Sequence, residues 1–507
     1  MRRSTIATTN SKPAPDFELR VAAGAAALIS LISLLWVHAH GFTLYWGDAE
    51  AHLNIARRIV EARSTGYDQL GEPWLPLTHL LMLPLVTFDS LWQSGLAGAI
   101  PSALCFIAAT VLFFAATRRV LGSTAAWCAM ALFVLNPNAL YLQSIPMMEA
   151  PFFACLMGVL FFTVRYRDSQ TIFDIAGAAL MCLAGTLTRY EGWIFLPPVT
   201  IYIFVSSKKA RIPKTLLFAA VASLGVAWWL FYNWWLAGDA LDFYRGPNSS
   251  TAIQAGRPYP GHGDWRVAMQ YYFTAARLVV GWPLLWIGGI GILAVLWRRA
   301  VWPAVLLASW PAFFIWSMHS SAQPIHIPTL WPHSWYNTRY ALAMLPLLAF
   351  GASAIRHKIL PILIVLCAGF WLFHLDHTDW ICWKESEQNS IARRAWTYTT
   401  ALYLNYHARP TDTFFTTFGD VSGIFRQAGI HFKRTLTWDD NPEWQAAVNR
   451  PDLFLWEDWA IAQRGDAVDE TIHRARALGV RYDLATEIII KDALPIEIYH
   501  RHVDTLH

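Results

Sequence analysis

The sequence of 507 residues is poor in charge and in paired cysteines. Charged residues make up 15% of the chain, against about 25% in an average soluble domain. The net charge of +4 is modest, and no basic patch of the kind that binds nucleic acid is present. The six cysteines show neither a disulfide framework nor a zinc-ligand spacing such as CxxC. These absences argue against a nucleic-acid-binding protein and against a cysteine-based metal site.

What the chain has in excess is apolar residues, at 55% with a mean hydropathy of +0.33. The apolar character is uneven, because charges are sparse between residues 21 and 373 and dense from residue 376 onwards. Such a shift marks a membrane part followed by a water-soluble tail. We therefore predict a short cytoplasmic segment at 1–20, a transmembrane domain at 21–375 and an extracytoplasmic domain at 376–507.

Long apolar runs predict a mainly α-helical, polytopic bundle of about eleven spans. Several runs are shorter than the ~20 residues that a helix needs to cross the hydrocarbon. The first follows a polar head without a convincing cleavage site, which favours an uncleaved anchor over a signal peptide. The runs are 21–37, 96–116, 121–135, 150–164, 172–187, 193–205, 216–236, 278–296, 301–318, 341–354 and 359–373.

The positions of the basic residues between the runs predict the orientation. With eleven spans and a cytoplasmic N-terminus, all six basic clusters fall on the cytoplasmic side, as the positive-inside rule requires. The tail then lies outside with the loops 41–90, 237–277 and 319–339. The clusters are Arg2/Arg3, Arg118/Arg119, Arg165/Arg167, Lys208/Lys209/Arg211/Lys214, Arg298/Arg299 and Arg356/Lys358.

A break between two short spans is predicted at Thr188–Trp193. One helix over Ile172–Val205 would measure about 51 Å, against a hydrocarbon core of about 30 Å. Two basic clusters flank this stretch, so an even number of crossings must separate them. The break therefore places Arg189 and Glu191 on the outer side.

Asp48 and Glu50 stand just outside the first span, at the start of an amphipathic helix. One interpretation is structural: Asp48 caps the helix and Glu50 adds a favourable charge to its first turn. The other is chemical: one carboxylate acts as a general base on a hydroxyl, and the pair holds a divalent cation. The sequence leaves both open.

Arg189 and Arg339 each lie at the outer end of an apolar segment, where a charge is costly and calls for a function or a partner. Each could bind a phosphate through its planar fork of N–H donors. The structural alternatives are an ion pair of Arg189 with Glu191 or Asp48, and an Arg339 side chain that reaches to the membrane interface.

Three further residues are expected near such a site: His79, Glu191 and Tyr336. His79 lies in a proline-broken apolar stretch, Trp74-Leu75-Pro76-Leu77-Thr78-His79, that is expected along the outer surface. Glu149 is expected to be a loop residue with local hydrogen bonds.

The whole arrangement resembles the GT-C superfamily of membrane glycosyltransferases over residues 21–373. An acidic motif follows the first span, and a proline-rich segment follows it, Glu72-Pro73-Trp74-Leu75-Pro76-Leu77. Many short spans come next, then Thr338-Arg339-Tyr340-Ala-Leu-Ala-Met-Leu-Pro at the start of a late helix, and finally an outer domain. Within that superfamily, the sequence most resembles the branch of the protein O-mannosyltransferases and the lipid A aminoarabinose transferases.

The resemblance implies transfer, usually with inversion, of a sugar from a polyprenyl-phosphate donor at the outer leaflet, with Asp48 as the catalytic base. The spaced pair Asp48/Glu50 looks like the metal-binding acidic motifs elsewhere in the superfamily, which implies a divalent cation. Arg189 and Arg339 would bind the donor phosphate. A bacterial inner (plasma) membrane is the expected location, and the acceptor hydroxyl would belong to a glycan, a lipid or a protein.

The rival interpretation is a multi-span transporter or lipid flippase. Many transporters contain inverted repeats of broken helices. We find no such repeat in this sequence, which argues against the rival. The tail predicts a small α/β domain that docks the acceptor or covers the site. Its predicted extended stretches are 413–418, 453–456 and 487–490, and its predicted helices are 442–448 and 467–478.

Overall fold

The structure, a computed structural model, describes residues 16–71, 73–298, 300–355, 357–373 and 379–502. Several sequence features therefore lie outside the described residues. They are the segment 1–15 with the pair Arg2/Arg3, Glu72 of the proline-rich motif, Arg299, Arg356, and the predicted domain boundary at residues 375 and 376.

The part of the chain up to residue 373 is helical, with short connections. Its α-helices are α1 (Asp16–Ala39), α2 (Gly47–Glu61), α3 (Leu77–Val86), α4 (Asp89–Ser94), α5 (Leu96–Leu121), α6 (Ser123–Val134), α7 (Pro137–Gln143), α8 (Glu149–Ser169), α9 (Ile172–Thr186), α10 (Leu196–Ser206), α11 (Arg211–Ala237), α12 (Asp242–Arg245), α13 (Ser250–Ile253), α14 (Trp265–Val280), α15 (Trp282–Trp297), α16 (Val301–Ser320), α17 (Met344–Ser353) and α18 (Leu360–Phe373).

Each predicted apolar run falls on a helix, but the count of eleven spans is not confirmed. Among the described residues, five helices are long and apolar enough to cross a membrane: α1, α5, α8, α11 and α16. Two more spans result if the bent pairs α6–α7 (67°) and α14–α15 (111°) each count as one. The other runs form short helices. At 1.5 Å per residue, the 11 residues of α10 reach about 16 Å, roughly half of the hydrocarbon thickness.

The run predicted at 278–296 is divided by Gly281. This residue has a φ of +84°, a left-handed conformation that glycine adopts without steric cost. The chain turns there by 111° between α14 and α15, so the predicted single span is wrong as a continuous helix. The break predicted at Thr188–Trp193 is present, because α9 ends at Thr186 and a 3-10 helix, Tyr190–Phe195, leads into α10.

Small residues let helices approach closely inside the bundle. A side chain at Gly288 would meet the Leu348 backbone, and one at Gly291 would meet the carbonyl of Gly351, so α15 and α17 pack almost backbone to backbone. Interfaces of this kind are typical of helices in membranes. The bundle core around α5, α6 and α8 is rich in buried aromatic residues such as Phe133 and Trp310.

The tail forms a mixed α/β unit that begins with the long helix α19 (Ile381–His407). Its sheet has the strand order β2-β1-β3-β5-β4. Strand β1 is parallel to β2 and β3, and β5 is antiparallel to β3 and β4. The elements are β1 (Phe414–Thr416), α20 (Ser422–Ala428), β2 (Thr435–Leu436), α21 (Glu443–Asn449), α22 (Pro451–Phe454), β3 (Trp459–Gln463), α23 (Ala467–Ala477), β4 (Tyr482–Ile488) and β5 (Ile496–Arg501).

The predicted mixture of helices and strands is present, but several strands differ from the prediction. The stretch 487–490 is strand only to Ile488, and β2, β3 and β5 were not predicted. The stretch 453–456 does not form a strand. Pro451 opens the short helix α22, as proline at the first helical position favours, and the strand β3 follows only at Trp459.

Helix α2 lies between the bundle and the tail, and this location fixes the candidate site. Its apolar face, with Leu53 and Ile55, shares one core with Phe425 and Trp459 of the tail. Its polar side chains make ion pairs with the tail, among them Glu50 to Arg426 at 2.8 Å. Both the membrane part and the tail thus hold this helix.

Candidate active site

Asp48 is the second residue of α2 and is not its cap. Trp46 occupies the N-cap position, and no side chain there accepts a capping hydrogen bond. The structural interpretation of Asp48 as a helix cap is therefore wrong. A carboxylate in the first turn still interacts favourably with the helix dipole. The Asp48 side chain is 35% exposed, which leaves it accessible for chemistry.

Arg339 holds the Asp48 carboxylate. Its Nη2 donates to Asp48 Oδ2 at 2.5 Å, and the guanidinium also lies over the Trp46 ring, 4.7 Å from the ring centroid. Arg339 belongs to a 3-10 helix, Thr338–Ala343, far from α2 in sequence.

Glu149 joins the two arginines that the sequence identified. Its Oε1 lies 3.0 Å from Arg189 Nη1 and 3.2 Å from Arg339 Nε. Arg189 in turn pairs with Glu191 at 2.8 Å. Only the contact to Arg189 has the geometry of a hydrogen bond, since Arg339 Nε and Glu149 Oε2 lack such a partner. The expectation that Glu149 is a loop residue with local bonds is wrong: it opens α8 and binds two distant side chains.

These five groups form one row of alternating charge. In order of contact along the row they are Asp48, Arg339, Glu149, Arg189 and Glu191. Four of them are almost fully buried, with side-chain exposures of 3–8%, and Asp48 alone is accessible. Because buried charges are costly unless paired, the alternation explains how two arginines can be kept in this part of the molecule. It also fixes the orientation of Asp48.

A cleft of about 1050 Å³ opens above this row. Of the residues predicted for the site, Asp48, Arg189, Glu191, Tyr336 and Arg339 all line it, whereas Glu50 and His79 do not. Aromatic residues from the membrane part contribute much of the wall: Trp46, Trp74, Tyr190, Trp193, Phe243, Phe313, Trp316 and Tyr340. The tail contributes Glu385, Arg393, Phe418, Asp420, Trp438 and Asp439.

Glu385 of α19 positions the segment that bears Arg339. Its Oε2 accepts from the Thr338 backbone N at 2.9 Å and also from the Thr338 hydroxyl. Burial raises the pKa of Glu385, and the hydrogen bonds from Thr338 and the charge of Arg339 oppose this rise. No local motif marks Glu385 in the sequence, because its partner lies 47 residues away.

Glu50 points away from Asp48 and is 4% exposed. Its two oxygens pair with Arg393 of α19 and with Arg426 of α20, the latter at 2.8 Å. A shared metal site with Asp48 is therefore not assembled here. Within the described ranges, no group of three or more His, Cys, Asp or Glu side chains could hold a metal ion.

His79 lies beneath the cleft, fully buried, with its Nε2 2.9 Å from Nδ1 of His52. His52 follows Asp48 by one helical turn and packs on Trp74, at 4.6 Å between ring centroids. Burial, with a smaller contribution from the positive charges of Arg339 and Arg189, lowers the pKa of His52 to about 3. His52 is therefore neutral and supports the floor of the site.

Comparison with known proteins gives one family match and several structural matches. Residues 85–232 match the family described as dolichyl-phosphate-mannose-protein mannosyltransferase. Crystal structures of ArnT from Cupriavidus metallidurans superpose over most of the chain. The form bound to undecaprenyl phosphate has a TM-score of 0.57 at 12% identity and covers 94% of this chain and 98% of that chain. The apo form gives 0.55 at 14% identity, with 92% and 97% covered. A search of curated protein sequences gives no match.

At these identities the likeness establishes the fold. The predicted resemblance, to the GT-C branch that holds the protein O-mannosyltransferases and the lipid A aminoarabinose transferases, is confirmed as a resemblance by the family match and the shared fold.

Proposed function

We propose that this chain, with its GT-C fold, moves a sugar from a polyprenyl-phosphate donor to an acceptor hydroxyl at the outer face of a membrane. The observation that supports this most directly is the accessible Asp48 carboxylate, held by Arg339 in the wall of a large aromatic cleft. The ArnT structure that superposes on the chain contains undecaprenyl phosphate, which fits a lipid-linked donor.

Asp48 acts as the general base in this proposal. It takes the proton of the acceptor hydroxyl as the oxygen attacks the anomeric carbon of the donor sugar. The bond from that carbon to the phosphate oxygen breaks, and the electron pair leaves with the lipid phosphate. Attack opposite to the leaving group inverts the anomeric configuration.

Arg189 and Arg339 provide positive charge in the cleft wall where the lipid phosphate leaves. Both guanidiniums are fixed by carboxylates before any substrate binds. Preorganised charge of this kind stabilises a developing anion without reorganisation at the moment of reaction. A divalent cation is not needed in these steps, and Glu50, with both oxygens on arginines, does not fit as its ligand.

The proposed orientation has the N-terminus in the cytoplasm and the tail outside, in a bacterial inner membrane. Nucleotide sugars are cytoplasmic, so an outer site requires a donor carried by a lipid. Reporter fusions at Lys209 and after residue 507 should report opposite compartments. The same compartment for both would contradict the proposed location of the cleft.

The activity is tested by incubating the purified protein with polyprenyl-phosphate sugars and measuring released polyprenyl phosphate. Turnover that Asp48→Asn abolishes supports the glycosyltransferase. Movement of the labelled lipid across the bilayer of proteoliposomes, without release, would instead identify a flippase.

A further inference from the structure

The tail supplies one wall of the cleft from the carboxyl ends of two parallel strands. Strands β1 and β2 are neighbours, with Phe414 opposite Thr435. The segments that follow them, 418–420 and 438–439, both line the cleft. In α/β sheets the loops at the carboxyl ends of parallel strands are where ligands bind. The tail therefore presents its ligand-binding edge to Asp48.

The loop after β2 is held rigidly. Asp440 accepts hydrogen bonds from the Thr437 backbone N at 2.9 Å and from its hydroxyl at 3.0 Å. Asp439 pairs with Arg58 of α2, and its carbonyl accepts from Gln69 Nε2 at 3.1 Å. A loop fixed in this way loses little conformational entropy when a ligand binds, which favours affinity.

On this rigid loop the Trp438 side chain is 42% exposed. Gly419, with a φ of +43°, faces it: a Cβ at that position would lie 3.8 Å from Cη2 of Trp438. A side chain at position 419 would therefore touch the edge of the indole. Exposed tryptophans elsewhere in the chain, such as Trp234, end an apolar helix and suit membrane anchoring. Trp438 lies in the tail instead and faces the cleft.

Hydrogen-bond acceptors accompany the indole. Asp420 is exposed in the cleft wall, and its charge acts on Arg393 of the same wall, although the described residues show no hydrogen bond or ion pair between the two. An ionised carboxylate can only accept hydrogen bonds, so it suits hydroxyl donors. A flat apolar surface beside an exposed carboxylate matches a sugar ring, which has an apolar C–H face and a rim of hydroxyls. The cleft volume of about 1050 Å³ exceeds the roughly 300–1,000 Å³ of single-ligand sites, which leaves room for an acceptor sugar beside the donor.

We propose that the acceptor is a saccharide, whose ring packs on Trp438 and whose hydroxyls donate to Asp420. This inference rests on the proposed function, and it names the acceptor class that the sequence left open among glycan, lipid and protein. One hydroxyl of the bound ring then points to Asp48 across the cleft. Trp438 and Asp420 select the acceptor and take no part in the proton transfer.

Binding without turnover tests the inference separately from the activity. Saturation-transfer NMR is recorded on the full chain in a detergent without a sugar headgroup. The probes are maltotetraose, mannotetraose, chitotetraose and a hexapeptide containing serine and threonine. We expect at least one tetrasaccharide to bind, and Trp438→Ala and Asp420→Asn each to weaken it roughly tenfold, as loss of one anchoring contact does. Trp456→Ala, which removes a 64% exposed indole outside the cleft, should bind like the wild type.

Three results would overturn the inference. The first is that no tetrasaccharide binds. The second is that Trp438→Ala and Trp456→Ala bind the tetrasaccharide equally well. The third is that the hexapeptide binds and that its binding requires Trp438. Each can occur while the donor is still turned over, so the proposed function would stand. Conversely, saccharide binding that needs Trp438, in a protein that never releases polyprenyl phosphate, would refute the transfer reaction and leave the saccharide site.

Discussion

Asp48 accepts a hydrogen bond from Arg339, 291 residues further along the chain, at 2.5 Å. The pair connects the first outer helix to the start of α17 through the 3-10 helix Thr338–Ala343. A carboxylate at this position could cap a helix or take part in a polar site. Asp48 does not cap α2, so its contact with Arg339 places it in the polar site. The predictions below follow from this pair and its neighbours.

Asp48→Asn should leave the protein folded and able to bind the donor, but nearly inactive. A general base contributes about 10²–10⁴-fold to the rate, and asparagine cannot accept a proton at neutral pH. Release of polyprenyl phosphate measures the loss, and the melting temperature is the control for folding. Full activity in this variant would rule out Asp48 as the base.

Arg189→Lys and Arg339→Lys should weaken donor affinity while the fold persists. Lysine keeps the charge but loses the planar fork that binds a phosphate or carboxylate through two N–H groups. Donor KM and direct binding of polyprenyl phosphate measure the effect. If both variants bind the donor normally, phosphate binding is not the role of these arginines.

Glu149→Gln should destabilise the protein and reduce activity together. The carboxylate serves two buried arginines, and removal of one partner from a buried ion pair costs about 3–5 kcal/mol. Thermal unfolding measures the change. Glu387→Gln is the matched control, because its pair with Arg394, at 3.9 Å and about one third exposed, should contribute about 0–1 kcal/mol. Equal melting temperatures in the two variants would contradict the central position of Glu149.

Glu50→Gln distinguishes a structural role from a metal-binding role. Since Glu50 pairs with Arg393 and Arg426 of the tail, we expect a lower melting temperature and no recovery with excess Mg²⁺ or Mn²⁺. Glu443→Gln, which touches only the rim pair with Arg63 at 3.3 Å, should be nearly silent. Activity of Glu50→Gln that a divalent cation restores would support the cation site predicted from the sequence.

The free energy of unfolding of the protein should decrease in acid because of His52. Its pKa of about 3 in the folded protein lies below the ordinary 6.5, so the unfolded chain binds the proton first. The stabilisation is complete above pH 6.5 and is lost as the pH falls towards 3, with a slope of up to about 1.4 kcal/mol per pH unit. Melting temperatures between pH 7 and pH 4 should fall less in His52→Gln than in the wild type. Parallel curves would contradict the assignment.

Patterns along the chain were sufficient for the fold class. Apolar runs mark helices because a chain in lipid must satisfy its backbone hydrogen bonds internally, and every predicted run is helical. Run length alone did not fix the number of spans: α10 is too short to cross alone, and Gly281 bends a continuous run by 111°. The strand β5 depends on its neighbours in the sheet, which no local pattern shows.

Within the site, the sequence by itself identified charged side chains that lie next to apolar spans, where a charge has a high free energy. Arg189 and Arg339 were found because a charge at the edge of lipid is costly, and Asp48 because it follows the first span. Glu191 and Tyr336 were expected beside them, and all five line the cleft. Their mutual order was decided only by the tertiary structure. Glu149 becomes the central carboxylate, and Glu50 turns to the tail, because α2 is helical and points residues two apart in different directions. The contacts of Glu385 and Trp438 with this site join parts of the chain that are distant in sequence. These contacts result from long-range packing, which local sequence patterns do not predict.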